Sequence, residues 1–151
     1  MLAIEKFSSK IWPMDAEKMH KAFSFKYPDK RILQQPSEDN PTAVICEIEP
    51  ASEHPEYSVA RVALGSFEPH YHKLSSQTYN VLRGKLLLTL TMKEVVLIPG
   101  TEYIVPPNMV HSGESVTEDT VVEVTSRPGW TSGDHIFVNQ PPSDSPLSPT
   151  D

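Results

Sequence analysis

Short runs of apolar and β-branched residues, broken by turn residues, make up most of this chain. One stretch reads as helix instead. Asp15 precedes Ala-Glu-Lys-Met-His-Lys-Ala-Phe, where an acidic cap opens a helical turn, and Pro28 keeps the helix short. Residues 35–41 read as a loop. From there the pattern is that of strands: Ala43–Glu49, Tyr57–Leu64, Gln77–Leu82, Leu86–Thr91, Val95–Ile98, Tyr103–Val105 and Thr120–Thr125, with Ile136–Val138 as a last edge strand. Gly, Pro, Asn and Ser separate them at close intervals. Many short strands with little helix between them predict an all-β sandwich or barrel rather than a parallel βαβ sheet. Residues 139–151, NQPPSDSPLSPTD, hold four prolines and almost no apolar surface, which predicts a mobile tail.

Composition narrows the picture. At 151 residues the chain has the size of one domain. We divide it into an extension over 1–41, a barrel over 42–138 and the tail. The net charge of −7 argues against nucleic acid and against an anionic membrane surface, which both require a basic face. Charge is uneven: residues 1–31 hold seven Lys/Arg against four Asp/Glu, and the remainder six against sixteen. A single cysteine, Cys46, excludes an internal disulfide and a Cys-rich zinc site. Apolar runs such as Val95–Ile98 stop at four residues, far short of a membrane-spanning helix. The opening residues lack a secretory leader's apolar stretch, so a cytoplasmic location is expected.

The chemistry is carried by histidines. His70 and His72 are two apart, so on a strand both point to one face, about 7 Å apart along the chain. Two imidazoles so placed can grip one ion. Gln77 follows five residues later and His111 lies 39 beyond His72. These residues sit in a wider pattern. The first stretch runs Gly65, four residues, His70-Tyr71-His72, four residues, Gln77, six residues, Gly84. The second runs Gly100, five residues, Pro106-Pro107-Asn108, two residues, His111, and fifteen residues separate the two stretches. Gly84 and Gly100 stand where strands end in tight turns, and Asn108 tolerates a positive φ.

Both stretches, in order, resemble the two motifs of the cupin family, and the likeness spans residues 57–125. It implies a jelly-roll double-stranded β-barrel with the ligands in its mouth. It also implies one divalent metal ion (zinc, nickel, manganese or iron) held by His70, His72, Gln77 and His111. Gln77 stands where the family usually has Glu, and Ser115 where it usually has Asn. With four neutral ligands the ion keeps its full charge, which strengthens it as a Lewis acid and draws anionic substrates. Some cupins that act on unsaturated uronate sugars share this ligand set. The expected function is therefore a small metal-dependent enzyme acting on a small, oxygen-rich, anionic, sugar-like substrate. A metal-dependent dioxygenase and a non-enzymatic small-ligand or metal-binding module are the alternatives. Tyr79, Tyr103 and Arg61 are candidate catalytic residues. Arg61 can bind a carboxylate or face outward, and the outward placement is preferred. Trp130 is expected to cover one barrel end, and His135, beside Asp134, reads as structural. A homodimer is expected, with the N-terminal residues packed on a partner or lending a strand to its sheet.

Overall fold

The structure, a computed structural model, describes residues 14–35 and 41–138. The tail, the first thirteen residues and most of the 35–41 loop lie outside the described residues.

Helix α1 (Ala16–Lys26) forms where the cap residue predicts it. The Asp15 carboxylate accepts from the Lys18 backbone N–H at 3.1 Å, with Glu17 in the first turn and Lys26 in the last. Met19 and Phe23, one turn apart, are its buried residues. They pack with Val44, Cys46, Ala63 and Val121 on the outer face of a sheet.

Eleven strands follow among the described residues: β1 (Ile32–Gln35), β2 (Ala43–Glu49), β3 (Ser58–Leu64), β4 (Ser66–His72), β5 (Ser76–Arg83), β6 (Leu86–Leu90), β7 (Glu94–Leu97), β8 (Glu102–Val105), β9 (His111–Ser115), β10 (Val121–Arg127) and β11 (His135–Phe137). They form two antiparallel sheets, β1-β2-β3-β10-β5-β8 and β11-β4-β9-β6-β7. The sheets face each other as a jelly roll. Between them lies a core of Leu64, Tyr79, Val81, Leu86, Leu88, Leu97, Val105 and Val122. Along β6, inward Leu86, Leu88 and Leu90 alternate with less buried positions, the period-two signature of a half-buried strand.

Each strand expected from an apolar run is present, β2 with unchanged ends and the others with an end moved by a residue or two. β1, β4 and β9 are additional. Their sequences, ILQQ, SFEPHYH and HSGES, carry no sustained apolar alternation. They become strands through pairing: β1 with β2, and β4 and β9 with each other and with β11 and β6. Residues 16–35 of the extension thus contribute a helix and a strand to the fold. No helix among the described residues is long and apolar enough to cross a membrane.

Gly84 ends β5 with φ +81. A Cβ there would stand 2.5 Å from Thr120 Oγ1 and 2.8 Å from Thr120 Cα. Thr120 is fully buried and holds Ser115 Oγ at 2.6 Å and the Lys85 carbonyl at 3.2 Å, so it has no room to retreat. Gly84→Ala is expected to destabilise the fold by about 2 kcal/mol or more, from the left-handed backbone and the clash together. Denaturant unfolding of parent and variant measures it; equal midpoints would contradict the packing described.

Candidate metal centre

The site is assembled by strand pairing. In β4, His70 and His72 point inward and are 3% and 2% exposed. Strand β9 pairs on one side of β4 and sets His111 opposite His70. Strand β11 pairs on the other side and sets His135 opposite His72. Residues opposite each other on antiparallel strands share a face, so four imidazoles converge. Ring centroids lie 4.4 Å apart for His70 and His111, 5.0 Å for His70 and His72, and 3.9 Å for His70 and His135, which stack. From the facing sheet, β5 presents Gln77 and Tyr79, both buried.

Hydrogen bonds set the state of each ring. His70 Nδ1 meets the Glu68 carbonyl at 2.8 Å, and His111 Nδ1 meets the Met109 carbonyl at 3.0 Å. A carbonyl only accepts, so each Nδ1 carries the proton and each Nε2 keeps its lone pair. Gln77 donates through Nε2 to Ser126 Oγ at 3.1 Å, which turns Oε1 toward His111 Nε2 at 3.2 Å. Two acceptors therefore face each other, with the Tyr79 hydroxyl, 3.0 Å from Oε1 and 3.2 Å from Nε2, as the proton donor between them. His72 has no hydrogen-bond partner at either nitrogen. Its nearest carboxylate oxygen, on Asp134, is 4.0 Å from Nδ1. A buried imidazole without partners costs free energy, and a cation satisfies both it and the facing acceptors. The donors fit a borderline divalent ion, being imidazole nitrogens with one amide oxygen. The nitrogens of His70, His72 and His135 lie within 4.8 Å of one another, a grouping that does not take in His111.

Burial holds His70 well below the usual imidazole range, reinforced by its histidine neighbours, and brings His111 and His135 down to about 4. Burial lowers His72 too, partly offset by Asp134. The rings are neutral at pH 7, as ligands must be. Burial pushes the Tyr79 phenol up, so it stays protonated.

Two residues that the motif pattern does not single out support the centre. Burial raises the Asp134 carboxyl, but backbone N–H bonds from Lys73, Leu74 and Ser75, at 2.9–3.1 Å, outweigh it and leave it low. Asp134 thereby anchors the β4–β5 turn, and it does not pair with His135, its neighbour in sequence. Phe67 occupies the space beside Gly113, where a Cβ would stand 2.5 Å from its ring, so only glycine admits it. The ring stacks on Tyr79 and meets His70 and His111 edge-on.

The other candidates fall elsewhere. Arg61 faces outward, toward α1: Nε donates to Glu123 Oε2 at 3.0 Å and Nη1 to the Tyr27 hydroxyl at 2.6 Å. This is the outward placement preferred from the sequence: strand parity puts Ala60 and Val62, not Arg61, in the cavity wall. Tyr103 stands opposite Tyr79 on β8, packed at the core edge beneath Lys93 Nζ, and does not line the cavity. Trp130 does line it, and its indole N–H donates to His135 Nδ1 at 3.0 Å. His135, read from sequence as structural, stands among the site histidines. The cavity, about 170 Å³, opens between the sheets beside His70, Gln77, Tyr79 and His135. Its walls include Leu33, Ile45, Val62, Leu64, Val122 and Val124, with Glu47 and Glu49 as the charged lining. Glu47 pairs with Arg31 at 3.7 Å and Glu49 with His54 at 2.9 Å.

A search of curated proteins finds no match. Solved structures with the same fold include a uridine-bound variant of Streptomyces Pac13, a nucleoside dehydratase, at 18% identity and TM-score 0.62, covering 74% of this chain and 85% of that one. KdgF from a Halomonas species aligns at 17% identity and TM-score 0.59, covering 68% and 91%. Oxalate decarboxylase from Bacillus subtilis aligns at 13% identity and TM-score 0.63, covering 78% of this chain and 34% of that one. Residues 60–135, which hold every histidine of the centre, match the family described as Cupin domain, and the chain belongs to the cupin family.

Proposed function

We propose that this cupin is a small metal-dependent enzyme whose divalent ion is held by His70, His72, His111 and Gln77. The observation that carries the reading is the buried, partnerless His72 beside two facing acceptors, His111 Nε2 and Gln77 Oε1. A divalent ion bound there supplies Lewis-acid polarisation of a carbonyl or hydroxyl oxygen on the substrate. The protein's own part is orientation. Backbone carbonyls fix the His70 and His111 tautomers, Ser126 turns the Gln77 oxygen inward, and the Tyr79 hydroxyl donates at the same point. Phe67 packs its ring on Tyr79 and against His70 and His111. The donor set has no carboxylate, unlike the two-His-one-carboxylate iron sites of oxygenases, which favours Lewis-acid chemistry over a dioxygenase. That nucleoside dehydratase and oxalate decarboxylase share the fold agrees with an enzyme.

The cavity bears on the substrate. No Lys or Arg lines it among the described residues. An anionic, uronate-like substrate would find its countercharge in the ion alone, with Glu47 and Glu49 opposing it. The walls favour a small substrate with an apolar body and one oxygen at the histidine end. Comparing the binding of a small ketone with that of its carboxylate analogue decides between them: tighter carboxylate binding would restore the anionic reading.

The reading also includes a homodimer in the cytoplasm. Exposed Val96 and Ile104 on the edge strands β7 and β8 are surfaces a partner can cover. A monomeric mass by light scattering at micromolar concentration would contradict the dimer.

His72→Ala is expected to lower affinity for zinc at least a hundredfold while the barrel stays folded, because it removes a ligand and no hydrogen bond. Elemental analysis after loading and dialysis, with circular dichroism on the same sample, measures both. Full zinc content in the variant would overturn the ligand assignment.

A further inference from the structure

His135 lies among the site histidines, yet its hydrogen bonding is the reverse of theirs. The nitrogens of His70 and His111 that face protein carbonyls are Nδ1, so their Nε2 atoms are bare. His135 Nδ1 instead receives the Trp130 indole N–H at 3.0 Å. An indole nitrogen only donates, so Nδ1 must offer its lone pair, and the neutral ring carries its proton on Nε2. One nitrogen is filled and the other is protonated, so neither is open to a metal. No acceptor among the described residues takes the Nε2 proton, and the residue lines the cavity. Its place is fixed from two sides: β11 pairs it opposite His72, and its ring stacks on His70 at 3.9 Å.

We propose that His135 is a hydrogen-bond donor to an oxygen of the bound substrate, held in that tautomer by Trp130, and is not a ligand of the ion. The inference rests on the metal reading above for the position of that oxygen. It assigns the residue a positioning role: Nε2–H holds the oxygen that the ion polarises, and Trp130 sets the direction of the donor.

Three measurements test it. Nitrogen-15 NMR of the metal-free protein reads the tautomers directly. His135 is expected to show a protonated Nε2 and bare Nδ1, His70 and His111 the reverse, and Trp130→Phe is expected to release His135 into a mixture. Cobalt titration reads ligation. His135→Ala is expected to keep one cobalt per chain with affinity within about threefold of the parent, whereas His111→Ala loses about a hundredfold. Acetate added to the cobalt form, as a minimal oxygen ligand read by its visible spectrum, is expected to bind about tenfold more weakly to His135→Ala than to the parent, or about 1.4 kcal/mol. A bare His135 Nε2, loss of cobalt from His135→Ala as large as from His111→Ala, or unchanged acetate affinity would each overturn the proposal. A parent that takes up no cobalt would overturn the metal reading, while the NMR tautomers still decide the donor state of His135.

Discussion

Acidifying the metal-free protein from about pH 7 to about pH 4.5 is expected to cost it several kcal/mol of stability and more than about 10 °C of melting temperature. Burial depresses His70, His111 and His135, the latter two to about 4. In the unfolded chain each imidazole takes up its proton near about pH 6.5. Below that value the unfolded chain binds more protons than the folded one, so stability falls as pH falls. The contributions of His111 and His135 level off near about pH 4, where both are protonated in the fold as well, while that of His70, held lower still, continues to grow below it. Each ring held neutral over two pH units contributes about 2.7 kcal/mol to the loss. Three such rings approach the whole stability of an ordinary domain, about 5–15 kcal/mol. Saturating zinc is expected to raise the melting temperature near neutrality and to lose that effect in acid, because protons and the ion compete for the same lone pairs. Thermal melts across this range, with and without zinc, provide the measurement. A metal-free midpoint that stays level from about pH 7 to about pH 5 would mean that the rings are not buried together as described.

Gln77→Glu is expected to separate the needs of folding from those of metal binding. Gln77 is 5% exposed, with its amide N–H on Ser126 and its oxygen facing His111 Nε2. A carboxylate there loses the donated bond to Ser126 and buries a charge. Without an ion, the variant must protonate the introduced carboxyl or charge His111 against its burial. A cost of about 3 kcal/mol is expected at neutral pH. With an ion bound, the new negative charge faces a positive one, so zinc is expected to raise the melting temperature of the variant more than that of the parent. The same charge weakens the Lewis acid, and turnover of any substrate polarised by the ion is expected to fall about tenfold, or about 1.4 kcal/mol. Melting both proteins with and without zinc tests the first half before any substrate is known. Equal midpoints in the metal-free proteins and equal shifts with zinc would remove Gln77 from the ligand set.

Much of the fold is legible in the sequence because strand periodicity is local. The run Ala43–Glu49 forms β2 with unchanged ends, and Asp15 caps the helix that follows it. The turn positions are legible for the same reason: Gly84, Gly100 and Asn108 all adopt positive φ. His70 and His72 can be paired from their spacing alone, since a period of two commits both to one face. Gln77 and His111 enter only through the motif pattern, because nothing local to either residue says that β5 and β9 will face each other.

The remainder depends on tertiary structure. Strand parity is visible in sequence, but which parity faces the core is decided by the packed sheets. That choice turns Arg61 outward against Glu123 and Tyr27 while Val62 enters the cavity wall. β1 and β9 have too few apolar residues to announce themselves and exist through pairing. His135 is the clearest case. By itself it is one histidine on a late loop beside an aspartate. The register that sets it opposite His72 joins residues 63 positions apart in the chain, and only that pairing brings its ring onto His70 and its Nδ1 to Trp130. The sequence, with its motif pattern, determined the kind of barrel and three of its imidazoles; long-range strand pairing brought the fourth, His135, among them and decided which nitrogen of each carries a proton.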